Sequence, residues 1–353
     1  MKTIQSNTVK TSSVFKNIEI GEELYISDKL SIVNGSALLV SIVEVNQKYN
    51  KIELKSGRIV KLSKHDKILC AIGSRMASDG MCGIIPEGNV NIGTEIAVLN
   101  IGGLVGQQIS YNKSIGSPTY CKIIGQVVLK DGANVNITEK PRIQPSSQLN
   151  NKIPIVGYVG TSMNSGKTTV MSDTINIMKN NGIKIAAIKV TGVAAQKDIY
   201  SFTDYGASIG LSFLDCGLLS TCCIDKDRVI QSTKGLINHC NQLEDVDIIF
   251  LEFGDCLYGQ YNVKELFEDN EIKKAISGLV LCAYDIPGSL KLYEDFSSMG
   301  METLMLSGPV TNNIYTLNHS LKTMNINVQV FDNLGVNINI GALNKITNLL
   351  DKI

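Results

Sequence analysis

One stretch constrains this chain more than any other. An apolar run of strand length, Ile153 to Val159, leads through Gly160 into Thr161-Ser162-Met163-Asn164-Ser165-Gly166-Lys167-Thr168-Thr169, and a helical pattern follows over Lys167 to Asn180. Small residues let such a loop curl, so that successive backbone N–H groups point inward at phosphate oxygens. The helix N-terminus behind it adds free N–H groups and partial positive charge. In this arrangement Lys167 reaches the β- and γ-phosphates and the Thr168 hydroxyl meets Mg²⁺. Gly160, Thr161, Ser162, Met163, Asn164, Ser165, Gly166, Lys167, Thr168 and Thr169 are therefore the expected nucleotide-holding residues. Thr161 occupies the position five residues before Gly166 where the commonest form of the loop has glycine, and the glycine stands one place earlier, at Gly160.

The pattern after Ile153 alternates. Strands are expected at Ile183 to Val190, Val246 to Leu251, Gly278 to Ala283, Glu302 to Leu306 and Val328 to Phe331. Helices are expected between them, at Lys226 to Cys240, Val263 to Ala275, Gly288 to Met299, Ile314 to Met324 and Gly341 to Leu350. Alternation of this kind implies βαβ crossovers and a mostly parallel sheet. From Phe15 to Ile137 the chain reads differently. Short β-branched runs at Ala37 to Val45, Lys67 to Ile72, Glu95 to Leu99 and Lys122 to Leu129 join a hairpin signal, Lys51 to Leu54 and Arg58 to Leu62 about Ser56-Gly57. The expected class is α/β: a P-loop domain over 153–353, preceded by a smaller β-rich domain over 1–137, barrel-like or a sandwich. Residues 138–152, with two prolines and few apolar side chains, read as the linker.

Composition excludes several classes. Formal net charge is zero, with no basic run, so no electrostatic case exists for nucleic acid or an anionic membrane surface. The nine cysteines form no CxxC pair and are scattered through apolar segments, and the N-terminus lacks a signal-peptide core. Reduced thiols in a cytoplasmic protein are the expectation, and His65, His239 and His319 are too dispersed for a zinc site.

The string Gly160-Thr161-Ser162-Met163-Asn164-Ser165-Gly166-Lys167-Thr168 resembles the G-T-x-x-x-x-G-K-T loop of dethiobiotin synthetase. That enzyme's wider P-loop class includes MinD-like ATPases, nickel- and cobalamin-pathway GTPases and the molybdopterin-guanine-dinucleotide accessory protein. Ile185 to Thr191 resembles the family's second strand, whose terminal lysine lies near substrate and γ-phosphate; the resemblance makes that residue Lys189. Val246 to Gly254 resembles the strand ending in an acidic residue, which puts Glu252 near Mg²⁺. The likeness covers about 200 residues. It leaves the first 150 unexplained, and Glu252-Phe253-Gly254-Asp255-Cys256 departs from the family's glycine-rich continuation. The two-part layout, with Ser307-Gly308-Pro309-Val310-Thr311-Asn312 late in the fold, also resembles a group of P-loop proteins linked to N-acylation of acidic amino acids. Relatives of this kind are often dimers, so a homo-oligomer is implied.

Lys167, Lys189 and Glu252 are the catalytic candidates. Thr168, Glu252 and Asp198 are the metal candidates, with Asp198 either holding Mg²⁺ through water or orienting a nucleophile. Asp204 and Asp215 are readable as substrate contacts or as caps. Asp255 has no assigned role, and Ser307 to Asn312 reads as a nucleotide contact or a capped loop. Arg75 and Asp79 read as a surface turn more readily than as a substrate contact. Gly102-Gly103 reads as a turn requiring positive φ, and Cys256 as a structural thiol. Three functions fit. The first is an ATP- and Mg²⁺-dependent phosphoryl-transfer enzyme, ligase- or kinase-like, acting on a small carboxylate or amino substrate. The second is an accessory NTPase acting on a protein partner. The third is an acyltransferase holding coenzyme A phosphates in the loop. ATP is preferred to GTP, because no Asn/Thr-Lys-x-Asp string follows the late strand, which reads Leu306-Ser307-Gly308-Pro309.

Overall fold

Period-two alternation builds the N-terminal part of the molecule. Along Ala37–Glu44, Leu38, Val40 and Ile42 share one face, and the same alternation puts Ile68, Cys70 and Ile72 inward from Lys67–Ile72. In this computed structural model, which describes residues 1–332 and 340–350, five strands close into a ring. Tyr120–Val128 pairs with Ala37–Glu44, which pairs with Lys67–Ile72. That strand runs parallel to Leu104–Tyr111, and Glu95–Val98 bridges Leu104–Tyr111 back to Tyr120–Val128. The inward residues form one apolar cluster, so the barrel-like expectation holds. The hairpin Lys51–Glu53 to Ile59–Lys61 turns at Gly57 with φ 84°.

Further strands were not apparent from the pattern: Lys2–Gln5, Lys10–Thr11, Glu23–Ser27, Arg75–Met76, Met81–Ile84 and Leu104–Tyr111. Their partners are remote; Ile26, for example, pairs with both Lys2 and Val127.

The chain divides into two compact units. The first is Met1–Gln144 together with Val193–Lys197 and Phe213–Ile224; the second holds Pro145–Gly192, Asp198–Ser212 and the chain from Asp225 onward. Asp215 lies in the first unit, fully buried, where its carboxylate accepts from Lys16 Nζ at 3.0 Å and Arg142 Nε at 3.1 Å. Glu53, also buried in that unit, accepts from Gln196 N at 2.7 Å and from the Ser13 hydroxyl. Arg75 is likewise no loose turn. Its guanidinium donates to Tyr49 OH at 2.6 Å and to the Leu99 carbonyl, and it stacks over the Tyr49 ring. Asp79 is exposed. Gly103 has φ 96°, and a Cβ there would meet Ser12 Oγ at 2.1 Å, so the glycine answers both a turn and a close approach.

Among the described residues the second unit is an α/β fold with seven strands, all parallel. Their order across the sheet is Ile209–Ser212, Ile185–Lys189, Ile248–Glu252, Ile155–Gly160, Ile276–Cys282, Thr303–Ser307 and Gln329–Val330. Near-continuous apolar runs such as Ile155 to Tyr158 suit a sheet buried on both faces. Met171 and Ile175 of the Lys167–Asn180 helix pack onto it, as do Ile199 and Phe202 of the Lys197–Tyr205 helix. The helix expected over Val263 to Ala275 is two, Val263–Glu268 and Asn270–Ala275. Asp269 is extended between them, with ψ 119°, and its side chain caps Glu271 N and Ile272 N. The same carboxylate sits 2.8 Å from the buried Lys234 ammonium, which fixes the break.

Candidate nucleotide site

Parallel register brings the strand ends to one edge. Lys189 pairs with Glu252 and with Ser212, Gly160 with Cys282, and Cys282 with Ser307. Open α/β sheets bind ligands at this carboxyl edge. The loop strand lies beside the Glu252 strand on one side and the Cys282 strand on the other.

The loop itself closes tightly over Gly160. A Cβ there would fall 2.1 Å from Ser165 Oγ and 3.0 Å from Lys167 Nζ, so the displaced glycine is what lets the loop fold down. Asn164, exposed at the loop crown, and Gly166 both have positive φ, 62° and 92°. Gly166 serves as N-cap of the Lys167–Asn180 helix without a side-chain cap, which leaves first-turn N–H groups for an anion. Thr161 N donates to Cys282 O at 3.0 Å, and Thr161 Oγ1 accepts from Tyr284 N at 3.4 Å, pinning the loop's first turn to the next strand. Ser162 Oγ donates to Met163 O at 2.9 Å, and Thr169 faces outward.

Lys167 lies across the concavity. Its ammonium donates to Ser162 O at 2.7 Å, Asp255 O at 3.1 Å and Ser165 Oγ at 3.4 Å. Burial pulls its pKa below the ordinary lysine value, with Glu252 acting in the opposite sense. Asp255 is in the left-handed region, φ 72°, and the chain before it runs close by: a Cβ on Gly254 would strike Thr191 O at 2.4 Å. The Asp255 carbonyl was not signalled by the sequence, since main-chain acceptors leave no residue-type trace.

Beside the loop, four side chains form a line. The Thr168 hydroxyl donates to Glu252 Oε1, and Glu252 Oε2 lies 3.4 Å from Lys189 Nζ. Lys189 also pairs with Asp198. Glu252 is 1% exposed. Burial would lower the Lys189 pKa, but Asp198 and then Glu252 outweigh it, leaving the ammonium held above its usual range. The hydroxyl of Thr168 and the carboxylate of Glu252 are hard oxygen donors side by side, and they fit Mg²⁺, which takes one or two protein oxygens and completes its shell from phosphate and water. Among the described residues no group of three or more His, Cys, Asp or Glu could hold a metal, so no all-protein cage competes with that arrangement. Asp198 has the Lys189 ammonium as its partner here.

The other sequence candidates separate from this line. Asp204 is exposed on the Lys197–Tyr205 helix. The Cys256 thiol is half-buried, and burial raises its pKa, which suits a structural role. In the Ser307 to Asn312 run, Ser307 Oγ donates to Phe331 O at 2.7 Å and Thr311 Oγ1 to Gly308 O at 2.8 Å. Gly308 nevertheless abuts the phosphate loop, since its Cβ would sit 2.4 Å from Ser165 O.

No family model matches the chain, and no curated protein does. Solved structures with a similar arrangement include chloroplast FtsY from Physcomitrella patens, at 16% identity and TM-score 0.35 over 59% of this chain and 69% of that one. The cell division protein FtsY from Thermotoga maritima is similar at 14% identity and TM-score 0.39, over 61% of this chain and 74% of its own. A DUF1611 family protein from Anabaena variabilis is similar at 13% identity and TM-score 0.37, covering 60% and 63%. No helix among the described residues is long and apolar enough to cross a membrane.

Proposed function

We propose that this protein is a Mg²⁺-dependent, nucleoside-triphosphate-using enzyme, with ATP as its nucleotide, that transfers a phosphoryl group to a small substrate bearing a carboxylate or an amine. The observation that carries the reading is the Lys189 ammonium, held cationic at the strand end beside Glu252 and next to the phosphate loop. A loop that only stores nucleotide needs the cradle and Lys167. A second, partly buried cation at the same edge suits charge that develops on a phosphoryl group in flight.

The residues divide the work by position. Backbone N–H groups of Gly160 to Thr169 and the helix N-terminus hold the phosphates, and Lys167 exchanges its contacts with Ser162 O and Asp255 O for phosphate oxygens. Thr168 and Glu252 are the residues that would hold Mg²⁺, which would supply neutralisation of phosphate charge. Lys189 faces the oxygens of the γ-phosphoryl group while a substrate carboxylate oxygen, or an amine nitrogen that gives up its proton to water, attacks phosphorus and the bond to the β-phosphate oxygen breaks, releasing ADP. The absence of an Asn/Thr-Lys-x-Asp string near Ser307 supports ATP over GTP.

The test is phosphate release and ADP formation from MgATP, with and without a pool of small carboxylates and amino acids. Turnover that rises with the pool and is lost in Lys189→Ala supports the reading. Turnover that rises only with a protein fraction contradicts it in favour of a switch.

A further inference from the structure

Asp198 was readable from the sequence as a metal holder, but the structure gives it another partner. It sits in the first turn of the Lys197–Tyr205 helix, where the helix dipole favours a carboxylate. From there it pairs with Lys189, both side chains being 14% exposed. Glu252 approaches the same ammonium from the neighbouring parallel strand, at 3.4 Å, and its other oxygen accepts from Thr168. Lys189 is thus the joint between one carboxylate that faces the loop and one that does not.

The element carrying Asp198 is built to hold still. Ile199 and Phe202 are buried in the core that includes Met171 and Ile175 of the phosphate-loop helix. One turn on, Ser201 Oγ lies 3.1 Å from Ser172 Oγ of that same helix, a direct tie between the two. A lysine side chain has four rotatable bonds and loses considerable entropy when fixed. A second carboxylate on a rigid helix confines it, and does so without occupying Glu252.

We propose that Asp198 is a positioning residue: it aims the Lys189 ammonium at the transferring phosphoryl group and does not bind the metal. This rests on the function proposed above. It predicts that Asp198 matters to the transition state and is indifferent to Mg²⁺ and to ground-state nucleotide.

The experiment uses the full chain and needs no substrate. Binding of ADP, of ADP with aluminium fluoride as transition-state mimic, and of Mn²⁺ in the presence of ADP is measured for the native protein, Asp198→Asn, Asp198→Glu, Lys189→Ala and Asp198→Asn/Lys189→Ala. Thermal melts confirm that each is folded. Expected for Asp198→Asn is tenfold or greater weakening of the aluminium fluoride complex, with ADP and Mn²⁺ affinities within twofold of native. Asp198→Glu should recover part of the loss, and the double variant should be no weaker than Lys189→Ala alone, as two residues acting as one unit require. Tenfold weaker Mn²⁺ binding in Asp198→Asn makes Asp198 a metal residue and overturns the proposal. So does an unaltered aluminium fluoride complex in Asp198→Asn when Lys189→Ala weakens it. If Lys189→Ala itself leaves the mimic unaffected, the phosphoryl-transfer role of Lys189 fails first and the positioning role falls with it. If Asp198→Asn does not fold, the Asp198→Glu pattern and the Lys189→Ala measurement decide the same questions.

Discussion

Replacing Gly308 with alanine creates a backbone problem and a packing problem at one position. Its φ of 97° and ψ of −173° belong to a region that only glycine adopts freely, and an L-residue there costs of order 1–3 kcal/mol. The new Cβ would lie 2.4 Å from Ser165 O, 2.7 Å from Ala283 O and 2.9 Å from Ala283 N, all main-chain atoms that cannot rotate away. Overpacking of that kind adds about 1–3 kcal/mol, for a total of about 2–6 kcal/mol. Gly182→Ala is the control: its φ is 80° and a Cβ would meet nothing within 4 Å, so only the left-handed penalty of about 1–2 kcal/mol applies. The assay is urea unfolding, read on the transition that moves when nucleotide is added, because that transition reports the unit that binds it. Since the crowded atom belongs to the phosphate loop, calorimetry should also show nucleotide affinity falling in Gly308→Ala and unchanged in Gly182→Ala. Equal destabilisation by the two variants, with native nucleotide affinity in both, would refute the claim that the Gly308 turn braces the loop.

Other consequences are more direct. Glu252→Gln keeps the shape of the side chain but removes the charge beside Thr168, and should weaken Mn²⁺ binding in the presence of ADP by tenfold or more, measured by water-proton relaxation. Asp215→Asn leaves Lys16 and Arg142 without their shared carboxylate. Breaking a buried pair costs about 3–5 kcal/mol, and the half-exposed Arg142 places this case near the lower end, about 3 kcal/mol by urea unfolding. Burial lifts the thiols of Cys240 and Cys282 to about 12, against about 8.5 in an unfolded chain. The folded state then holds protons that the unfolded state has lost, so stability is fully present below pH of about 8.5 and declines as pH rises toward 12. Disulfide-exchange labelling should find exposed Cys223 first and reach Cys240 and Cys282 only in denaturant.

The phosphate loop was legible because its chemistry is local: strand, small residues, Gly166, Lys167 and Thr168 are consecutive, and each residue type answers one need of a bound phosphate. The parallel sheet was legible for a related reason, since strands buried on both faces, such as Ile248–Glu252, leave continuous apolar runs. What remained hidden depends on distance along the chain. Asp215 meets Lys16 and Arg142 across 199 and 73 residues, so no spacing could announce the triad. The strand Ile209–Ser212 has only four residues and contains Gly210, too short for periodicity to register. Lys197–Tyr205 mixes β-branched and aromatic residues that favour extended chain locally, and it forms a helix because Ile199 and Phe202 reach the core. The Asp198–Lys189 pair depended on that helix and was therefore out of reach. The break at Asp269 was missed because an apolar stripe continues across it, whereas the carboxylate's capping bonds and its pairing with Lys234 decide the backbone.

Gly160 to Thr169 is expected to cradle the phosphates of a nucleotide whose Mg²⁺ Thr168 and Glu252 would hold. Isothermal calorimetry with ATP, GTP and coenzyme A, each with and without Mg²⁺, for the native protein and Lys167→Ala, tests it most directly. Expected is ATP binding that strengthens with Mg²⁺ and is lost in Lys167→Ala, with weaker GTP binding and none for coenzyme A. Tight coenzyme A binding with no response to ATP, or ATP binding that Lys167→Ala leaves intact, would contradict it.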